Sequence, residues 1–442
     1  MRFLRSSAIY IAANLASAAV PFLLLPLLTR VLSPSEYGSV ILFALLVTLS
    51  QAVAGINAHA AMGVVWFQRP QAAVPAFTST ALVLAIGSTA VVAVVAAAAA
   101  LLFDGFGQQV RPAWAALAAI TAGANVVLQC RLVLWQSQQR ALHSAALQFG
   151  ASGLNVGLSL LAVLVLGWGA DGRNAGIAAA TVLAATCGAV LFWRQGELRW
   201  QPDAEQRRTL LAFGAPLIVH SFAGALVGTA DRWSVSAHLD GAALGVYGAG
   251  AQLGMVMGML ADAFVKAFNP WLYGRLREGT PAARLAAVGA IYVAMPAFVV
   301  MALVVGAALS AAAVWLLGPK YQSAVVLLPW FVAGGAATGL YVCTSMLFFF
   351  EARTARLAAC TLSAAVIGAF ATWRLTSHFG LHGAAAGFAL TQLLLALFTA
   401  AVAMKLFDLP WGSPLSALAT WRDAVRRADM APSSLRHPST HP

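Results

Sequence analysis

Charged residues are scarce in this sequence, where Asp, Glu, Lys and Arg together make up 9% of 442 residues. Soluble domains carry about 25%. Hydrophobic residues make up 61%, and the mean hydropathy is +0.82. Many apolar runs reach about 20 residues, enough for a helix to cross about 30 Å of hydrocarbon. Because the short alternating segments of a membrane β-barrel are also missing, the composition predicts an all-α polytopic membrane protein.

Motifs for catalysis, phosphate binding and metal binding are missing as well. The sequence has no GxSxG, HExxH, Walker loop or dinucleotide fingerprint. Its four cysteines lie within or beside apolar runs, far apart and without metal-ligand spacing, so we expect them to be small apolar packing residues. The longest polar loops, near 194–209 and 267–285, are too short for a soluble catalytic domain. We therefore expect no soluble catalytic domain, no cofactor and no metal, while an integral membrane enzyme stays open at this point.

The distribution of Lys and Arg predicts the orientation in the membrane. Twenty of the 26 basic residues fall in alternate loops, on the side that holds both termini. Cytoplasmic loops carry this excess, so both termini are predicted to be cytoplasmic, and the net charge of +12 reflects topology rather than nucleic-acid binding. The first apolar run continues to Leu28, too long for a secretory signal, so we expect an uncleaved span. Twelve spans are predicted near 7–28, 38–58, 76–103, 113–133, 144–167, 175–193, 210–230, 244–266, 286–310, 324–349, 356–374 and 384–404.

Two pairs of short segments repeat at an offset of about 206 to 210 residues. PSEYGSV (34–40) is similar to LGVYGAG (244–250), and GRNAGIAAATVLAA (172–185) is similar to GLHGAAAGFALTQ (380–392). Six spans per half make the repeats parallel, as in alternating-access transporters built of two bundles. This predicts an N-terminal six-helix lobe at 1–199, a C-terminal six-helix lobe at 200–409, and a cytoplasmic tail at 410–442 with a short amphipathic helix.

The polar stretch TRVLSPSEYG (29–38) interrupts the apolar N-terminus. Ser33 is a predicted N-cap, Pro34 suits the first helical turn, and Glu36 is the acid of a capping box. The stretch therefore predicts a hairpin between the first two spans. Capping does not explain Arg30.

Several segments together resemble a known family. They are PLLTRVLSPSEYGSV (26–40), FGAPLIVHSFAGALVGTADRWSV (213–235) with LGVYGAGAQL (244–253), GPKYQSAVVLLPW (318–330) and HFGLHGAAAGFALTQLL (378–394). In their order and spacing they resemble the bacterial polysaccharide transporter family, the Wzx-type O-antigen flippases. The wider superfamily includes transporters of the MATE type and lipid II flippases.

The resemblance implies two six-helix lobes in a V, and transport rather than catalysis. The implied substrate is an undecaprenyl-diphosphate-linked oligosaccharide, turned from the cytoplasmic to the periplasmic leaflet of the bacterial inner membrane. Such transport serves O-antigen, capsule or exopolysaccharide biosynthesis. Expected partners are the lipid-linked substrate, the bilayer, and a polysaccharide polymerase and chain-length regulator.

Charges within or beside spans are the first functional candidates. Arg30 closes the first span, and Asp231 and Arg232 close the seventh. They are predicted to form a cross-lobe gate or a cationic rim for the diphosphate, with snorkelling at the interface as the alternative. Asp262 and Lys266 lie four residues apart near the cytoplasmic end of the eighth span. They are an intrahelical pair, a cytoplasmic gate or, for Asp262, a cation-coupling carboxylate.

Uncharged polar residues within spans are further candidates. Asn125 and Gln129 share one face of the fourth span. They suit sugar hydroxyls but also hydrogen bonds between helices. His220 is the one histidine of the seventh span, either a proton relay or a structural residue. Arg131 ends the fourth span and is expected to be an anchor at the membrane surface.

Three alternative functions stay open. A cation-coupled multidrug antiporter of the MATE type would need carboxylates deep in the N-terminal lobe, whereas Glu36, Asp104 and Asp171 all fall in predicted loops. A glycan polymerase or ligase usually has a large periplasmic loop, and no predicted one here exceeds about fifteen residues. A lipid II flippase is the third alternative, although the tail predicts no additional spans.

Overall fold

The computed structural model describes residues 17, 19–68, 73–102, 110–199, 203–351 and 353–430, and its regular secondary structure is helical. A π-helical turn, Leu161–Val165, extends α6, and a 3-10 segment, Pro319–Leu327, precedes α11. The helices of the described chain are α1 (Ala19–Val31), α2 (Pro34–Val53), α3 (Ala58–Gln68), α4 (Val74–Leu102), α5 (Pro112–Ser137), α6 (Ala141–Leu160), α7 (Gly169–Arg194), α8 (Ala204–His238), α9 (Gly241–Glu278), α10 (Pro281–Leu316), α11 (Leu328–Phe350), α12 (Thr354–Leu406) and α13 (Pro414–Met430).

Ten helical stretches of the described chain are long and apolar enough to cross a membrane. One of them, α12, has 53 residues and would be about 80 Å long if straight. Gly380 interrupts it with φ 57° and ψ −134°, a conformation that essentially only glycine adopts. A Cβ atom on Gly383 would lie 2.0 Å from the carbonyl oxygen of Leu375, so α12 folds back into two antiparallel arms. With α1, the described part of the first predicted span, the all-α fold of about twelve spans is confirmed.

The start of α2 confirms the predicted capping box. The backbone N–H of Ser33 donates to Oε2 of Glu36 at 2.8 Å, and the N–H of Glu36 donates to Oγ of Ser33 at 3.3 Å. Pro34 is the first helical residue, where its missing N–H leaves no bond unmade. The chain therefore turns sharply between α1 and α2.

An unpredicted break separates α2 from α3 within one span. Gly55, Ile56 and Asn57 have φ values of 75°, 49° and 52°. For the β-branched Ile56 this left-handed backbone is an outlier. The N–H of Gly55 donates to Oγ of Ser88 at 2.9 Å, which satisfies one backbone group released by the break. The span is thus two shorter helices, an arrangement that membrane transporters place at their binding sites.

The helices group into two compact units. The first unit is Met1–Leu253, Leu309–Leu328 and Ala365–Phe388. One of its cores joins α3, α4, α5 and α7 and includes the fully buried Met62, Phe77 and Phe192. Alanine and valine side chains make up most of the rest of this core, so the helices approach closely.

The second unit is Gly254–Ala308, Pro329–Ala364 and Ala389–Pro442. Its main core is rich in aromatic residues. The Phe264 ring meets the Phe298 ring edge-on, at 5.1 Å between ring centroids. The predicted tail helix, α13, packs on α10, since a Cβ atom on Gly289 would lie 2.1 Å from the carbonyl oxygen of Ala417. Each unit combines segments from different parts of the sequence, so the units are not the predicted lobes. The division into lobes at residue 199 stays a prediction.

Candidate functional site

Within the first unit, the two similar segments that begin α2 and α9 pack against each other. A Cβ atom on Gly38 would lie 2.0 Å from the carbonyl oxygen of Gly241. One on Gly245 would lie 1.9 Å from the carbonyl oxygen of Pro34. The backbones touch directly, and only glycine permits this approach. We call the packing of residues 29–41 against 241–252 and 315–321 the hairpin contact.

Tyrosine side chains fill the interior of the hairpin contact. The hydroxyl of Tyr37, a buried residue, donates to Oε1 of Gln252 at 2.6 Å. The Tyr37 ring meets the Tyr321 ring edge-on at 5.7 Å between centroids. The Tyr321 hydroxyl donates to the carbonyl oxygen of Leu32 at 3.2 Å. Gln252 also donates to the carbonyl oxygen of Pro21. Neutral hydrogen bonds therefore connect the first half of the sequence with the second.

Arg30, the first predicted site residue, takes part in this contact. Its Nη2 donates to the carbonyl oxygen of Trp315 at 2.7 Å, and its Nη1 donates to that of Pro26 at 2.6 Å. Beside it, the N–H of Gly318 donates to Oγ1 of Thr29 at 2.9 Å. Arg30 thus joins two chain segments 285 residues apart, through backbone carbonyls rather than through Asp231 or Arg232.

Asp231 and Arg232 lie nearby in the first unit but have other partners. Asp231 is buried, and its Oδ2 accepts a hydrogen bond of 2.7 Å from the Tyr247 hydroxyl. Nη1 of Arg232 lies 3.5 Å from Oδ1 of Asp231 and donates to the carbonyl oxygen of Gly228 at 2.7 Å. The buried carboxylate of Asp231 thus orients Tyr247, which lies in the segment LGVYGAG (244–250). Its role in a gate with Arg30 stays a prediction.

The other predicted site residues are separated from the hairpin contact along the chain. Asp262 and Lys266 form an ion pair between successive turns of α9 in the second unit, and both are partly exposed. Nδ2 of Asn125 donates to Oε1 of Gln51 at 3.0 Å, a bond between α5 and α2. Gln129 is half-buried on α5. His220 lies in α8, and its side chain is outside the described part of the chain. None of these contacts decides whether the residues bind substrate.

The break between α2 and α3 is a structural feature that sequence reasoning missed. The buried Asn57 accepts a hydrogen bond of 3.0 Å at Oδ1 from Oγ of Ser221 in α8. The carbonyl oxygen of Ile56 would lie 2.1 Å from a Cβ atom on Gly214. The strained backbone is therefore held by the second half of the sequence. In the sequence, Gly55 is the residue that could have indicated the break, and a single glycine within an apolar run does not predict one.

Arg131 is predicted to be an anchor at the membrane surface, and its depth in the membrane stays a prediction. Its side chain is fully buried, because the linker after α7 covers it. Nη1 donates to Oε2 of Glu197 and Nη2 donates to Oε1 of Gln195 at 2.5 Å. The guanidinium also lies 4.1 Å from the Trp135 ring centroid and 4.6 Å from that of Phe192. Both partners on the linker lie more than 60 residues away, which the local sequence does not show.

The same linker is bound to α4. Oγ of Ser79 donates to the carbonyl oxygen of Arg199. The N–H of Asp203 donates to Oγ1 of Thr80 at 3.1 Å. We call residues 195–199 and 203, with the side chains of Arg131 and these two hydroxyls, the linker clamp.

A second buried arginine, Arg173, lies near the start of α7. Its Nη1 donates to Oδ1 of Asn155 at 2.6 Å and to Oγ of Ser159, both on α6. The predicted sixth span, 175–193, excludes Arg173, whereas the residue lies within α7 and is 6% exposed. Across the described residues, no three His, Cys, Asp or Glu side chains lie together as metal ligands.

The fold is that of a multi-pass helical membrane protein. It is similar to a multidrug resistance MATE transporter in an inward-facing conformation, with a TM-score of 0.70, 13% identity, and coverage of 88% of this chain and 94% of that one. It is also similar to the lipid II flippase MurJ in an inward closed conformation. That TM-score is 0.66 at 11% identity, and the match covers 96% of this chain and 93% of that one. The names of these two fold relatives describe a transporter and a flippase.

The family follows from the sequence comparison. Residues 3–273 match the model of the polysaccharide biosynthesis protein family, which is more than half of the chain, so the chain belongs to that family. A protein named Lsg locus putative protein 1 from Haemophilus influenzae is 25% identical over 291 residues, 63% of this chain and 68% of its own length. The resemblance to a polysaccharide transporter of the Wzx type is thereby confirmed.

Proposed function

We propose that the chain is a flippase for an undecaprenyl-diphosphate-linked oligosaccharide, carrying it from the cytoplasmic to the periplasmic leaflet of a bacterial inner membrane by alternating access. The flipped glycan would serve O-antigen, capsule or exopolysaccharide biosynthesis. Each unsatisfied polar group in hydrocarbon is unfavourable by several kcal/mol, so a sugar chain crosses only when protein shelters it. Family membership and the fold support a carrier of lipid-linked material.

The hairpin contact is the observation that carries this proposal. It joins the two sequence repeats through glycine packing and hydrogen bonds to neutral acceptors. Separating these surfaces leaves few buried charges behind, so the contact suits a reversible gate. In this proposal the lobes at 1–199 and 200–409 separate there, at the periplasmic side, while both termini stay cytoplasmic.

The described carboxylates of the first-half helices favour a flippase over a cation-coupled antiporter. Glu36 is used in the capping box of α2. Asp171 lies in the first turn of α7, 3.3 Å from the Arg111 guanidinium. Both lie at helix starts rather than deep within a span, where a coupling carboxylate is expected. For the substrate we assign Arg30 and Arg232 to the diphosphate, and Asn125 and Gln129 to sugar hydroxyls.

Transbilayer movement in liposomes tests the proposal. The purified chain is reconstituted with undecaprenyl-diphosphate oligosaccharide labelled in the sugar, and an external glycosidase reports the exposed fraction. We expect the protected pool to become accessible, while protein-free liposomes and liposomes carrying a heat-denatured chain retain it. A second arm loads the liposomes with ethidium and imposes a pH gradient. Ethidium movement without glycan movement would instead identify a drug antiporter.

A further inference from the structure

A polar pocket lies beside the hairpin contact, where the first turns of α2, α5, α7 and α9 converge. It has a volume of about 400 Å³. Its polar lining comes from Ser35, Ser39, Arg111, Asp171, Asn174 and Asp240. All of these lining residues belong to the first unit, and nothing in the proposed gate uses these side chains. The pocket is large enough for a sugar ring, and pockets of this size commonly bind small ligands.

Asn174 indicates that the pocket is built for a hydrogen-bonding ligand. The residue is 3% exposed, and among the described residues its Oδ1 has no hydrogen-bond partner. A buried polar atom without a partner is unfavourable and calls for an explanation. The amide of a lining residue offers an acceptor that a ligand hydroxyl satisfies.

The aromatic lining matches the other chemical character of a sugar, its apolar C–H face. Trp114 is half-buried, and its ring meets Phe43 edge-on at 5.9 Å between centroids. This neighbour fixes the indole plane. An indole combines apolar area with one polar edge and fits a ligand that is part apolar and part polar.

The charges of the pocket favour a neutral sugar over a phosphate. Arg111 is paired with Asp171 at 3.3 Å. Asp240 caps α9, where its Oδ1 accepts from the N–H of Ala243 at 2.7 Å. Two carboxylates and one guanidinium leave the lining with a net negative charge, which repels a phosphate. Sugar hydroxyls donate to such carboxylates without this penalty.

An apolar groove of about 370 Å³ adjoins the pocket, and both are lined by Leu46 and Val110. Val91, Val95 and Ala99 of α4 line the groove. A sugar that arrives on a lipid therefore finds an apolar surface next to the polar pocket. This adjacency favours a glycan delivered on its carrier lipid over a free sugar.

We propose that this pocket binds one neutral sugar residue of the transported glycan, as a subsite beside the gate. The assignment rests on the proposed function for the identity of the ligand, and on Asn174 and Trp114 for its binding. Asn174 is assigned as an acceptor for a sugar hydroxyl and Trp114 as the surface for its C–H face.

Saturation-transfer NMR on the full chain in lipid nanodiscs tests the subsite. The probes are methyl glycosides of hexoses, 6-deoxyhexoses and N-acetylhexosamines. We expect saturable transfer to at least one probe, weakened about tenfold or more by Asn174→Leu, since one hydrogen bond and its buried partner are lost. Because the leucine also removes the unpaired acceptor, the midpoint of thermal unfolding should stay equal or rise.

Trp114→Ala should weaken binding as well, and Trp114→Phe less. Trp193→Ala, an exposed tryptophan at the other end of α7, is the matched control and should bind as the unaltered chain does. Absence of saturable transfer with every probe, or equal binding by Asn174→Leu, would overturn the subsite. The liposome assay separates this from the proposed function: glycan movement without probe binding contradicts the subsite alone. Probe binding without glycan movement contradicts the flippase and leaves a saccharide site.

Discussion

The hairpin contact and the linker clamp join distant parts of the sequence by opposite means. The hairpin contact uses backbone packing at Gly38 and Gly245 and the neutral bond between Tyr37 and Gln252. The linker clamp surrounds a fully buried guanidinium, that of Arg131, with a carboxylate, an amide and two aromatic rings.

This difference favours the hairpin contact, rather than the linker clamp, as the contact that opens in the proposed transport cycle. Removing one partner from a buried ion pair is strongly unfavourable, because the other charge stays buried. Surfaces joined by packing and neutral bonds separate with less penalty. We infer that the linker moves with α4 and α5, while the hairpin contact opens and closes during transport.

Glu197→Ala should have the largest effect on stability. It leaves the buried Arg131 without its carboxylate, so we expect a loss of about 3–5 kcal/mol in the free energy of unfolding. Glu278→Ala, which removes an ion pair between two partly exposed side chains on α9, should lose under about 1 kcal/mol. Denaturation in detergent measures both. The double variant Arg131→Met, Glu197→Leu should recover most of the stability that Glu197→Ala loses. If Glu197→Ala lost no more stability than Glu278→Ala, the linker clamp would not stabilise the fold.

Gly245→Val should have the next largest effect, and on transport more than on stability. Its Cβ atom would meet the carbonyl oxygen of Pro34, so the hairpin contact could not close. Overpacking of about 1–3 kcal/mol corresponds to a shift of roughly five- to 140-fold toward the open state. The control Gly157→Val lies on α6, where no atom stands within 4 Å of the added Cβ. If Gly245→Val moved glycan at the normal rate, the proposal that the hairpin contact is a gate would be wrong.

The sequence predicts most of the fold because hydropathy, loop charge and capping are local signals. The Ser33–Glu36 capping box is confirmed where it was expected. The burial of Arg131 is not local, because it depends on a linker 66 residues later that folds over α5.

The break at Gly55 to Asn57 and the polar pocket were also beyond sequence reasoning. Ile56 has no local preference for a left-handed backbone, and its conformation follows from packing against α8. The pocket requires four helix starts to converge, whereas each contributes only one or two ordinary polar residues. Lining residues from separate helices have no common spacing in the sequence.

Tyr37→Phe and Gln252→Leu test the neutral bond within the hairpin contact. Each should change transport by a few-fold, in line with about 0.5–1.5 kcal/mol for one hydrogen bond. Because the two residues share that bond, the double variant should lose less than the sum of the single variants. Tyr292→Phe removes a comparable tyrosine bond, to the carbonyl oxygen of Trp411 in the second unit, and should leave transport unchanged. Strictly additive effects at Tyr37 and Gln252 would show that the bond is not part of the gate.

Arg30 should show the smallest effect on stability and separates two roles within the hairpin contact. Its side chain is exposed and donates to carbonyl oxygens, so Arg30→Gln should change the free energy of unfolding by under about 0.5 kcal/mol. If Arg30 binds the diphosphate, Arg30→Gln should raise the concentration of lipid-linked glycan needed for half-maximal transport, and Arg30→Lys should restore part of it, because lysine keeps the charge but not the bidentate geometry. If Arg30 only fastens the contact to Trp315, both variants should alter the maximal rate and leave that concentration unchanged.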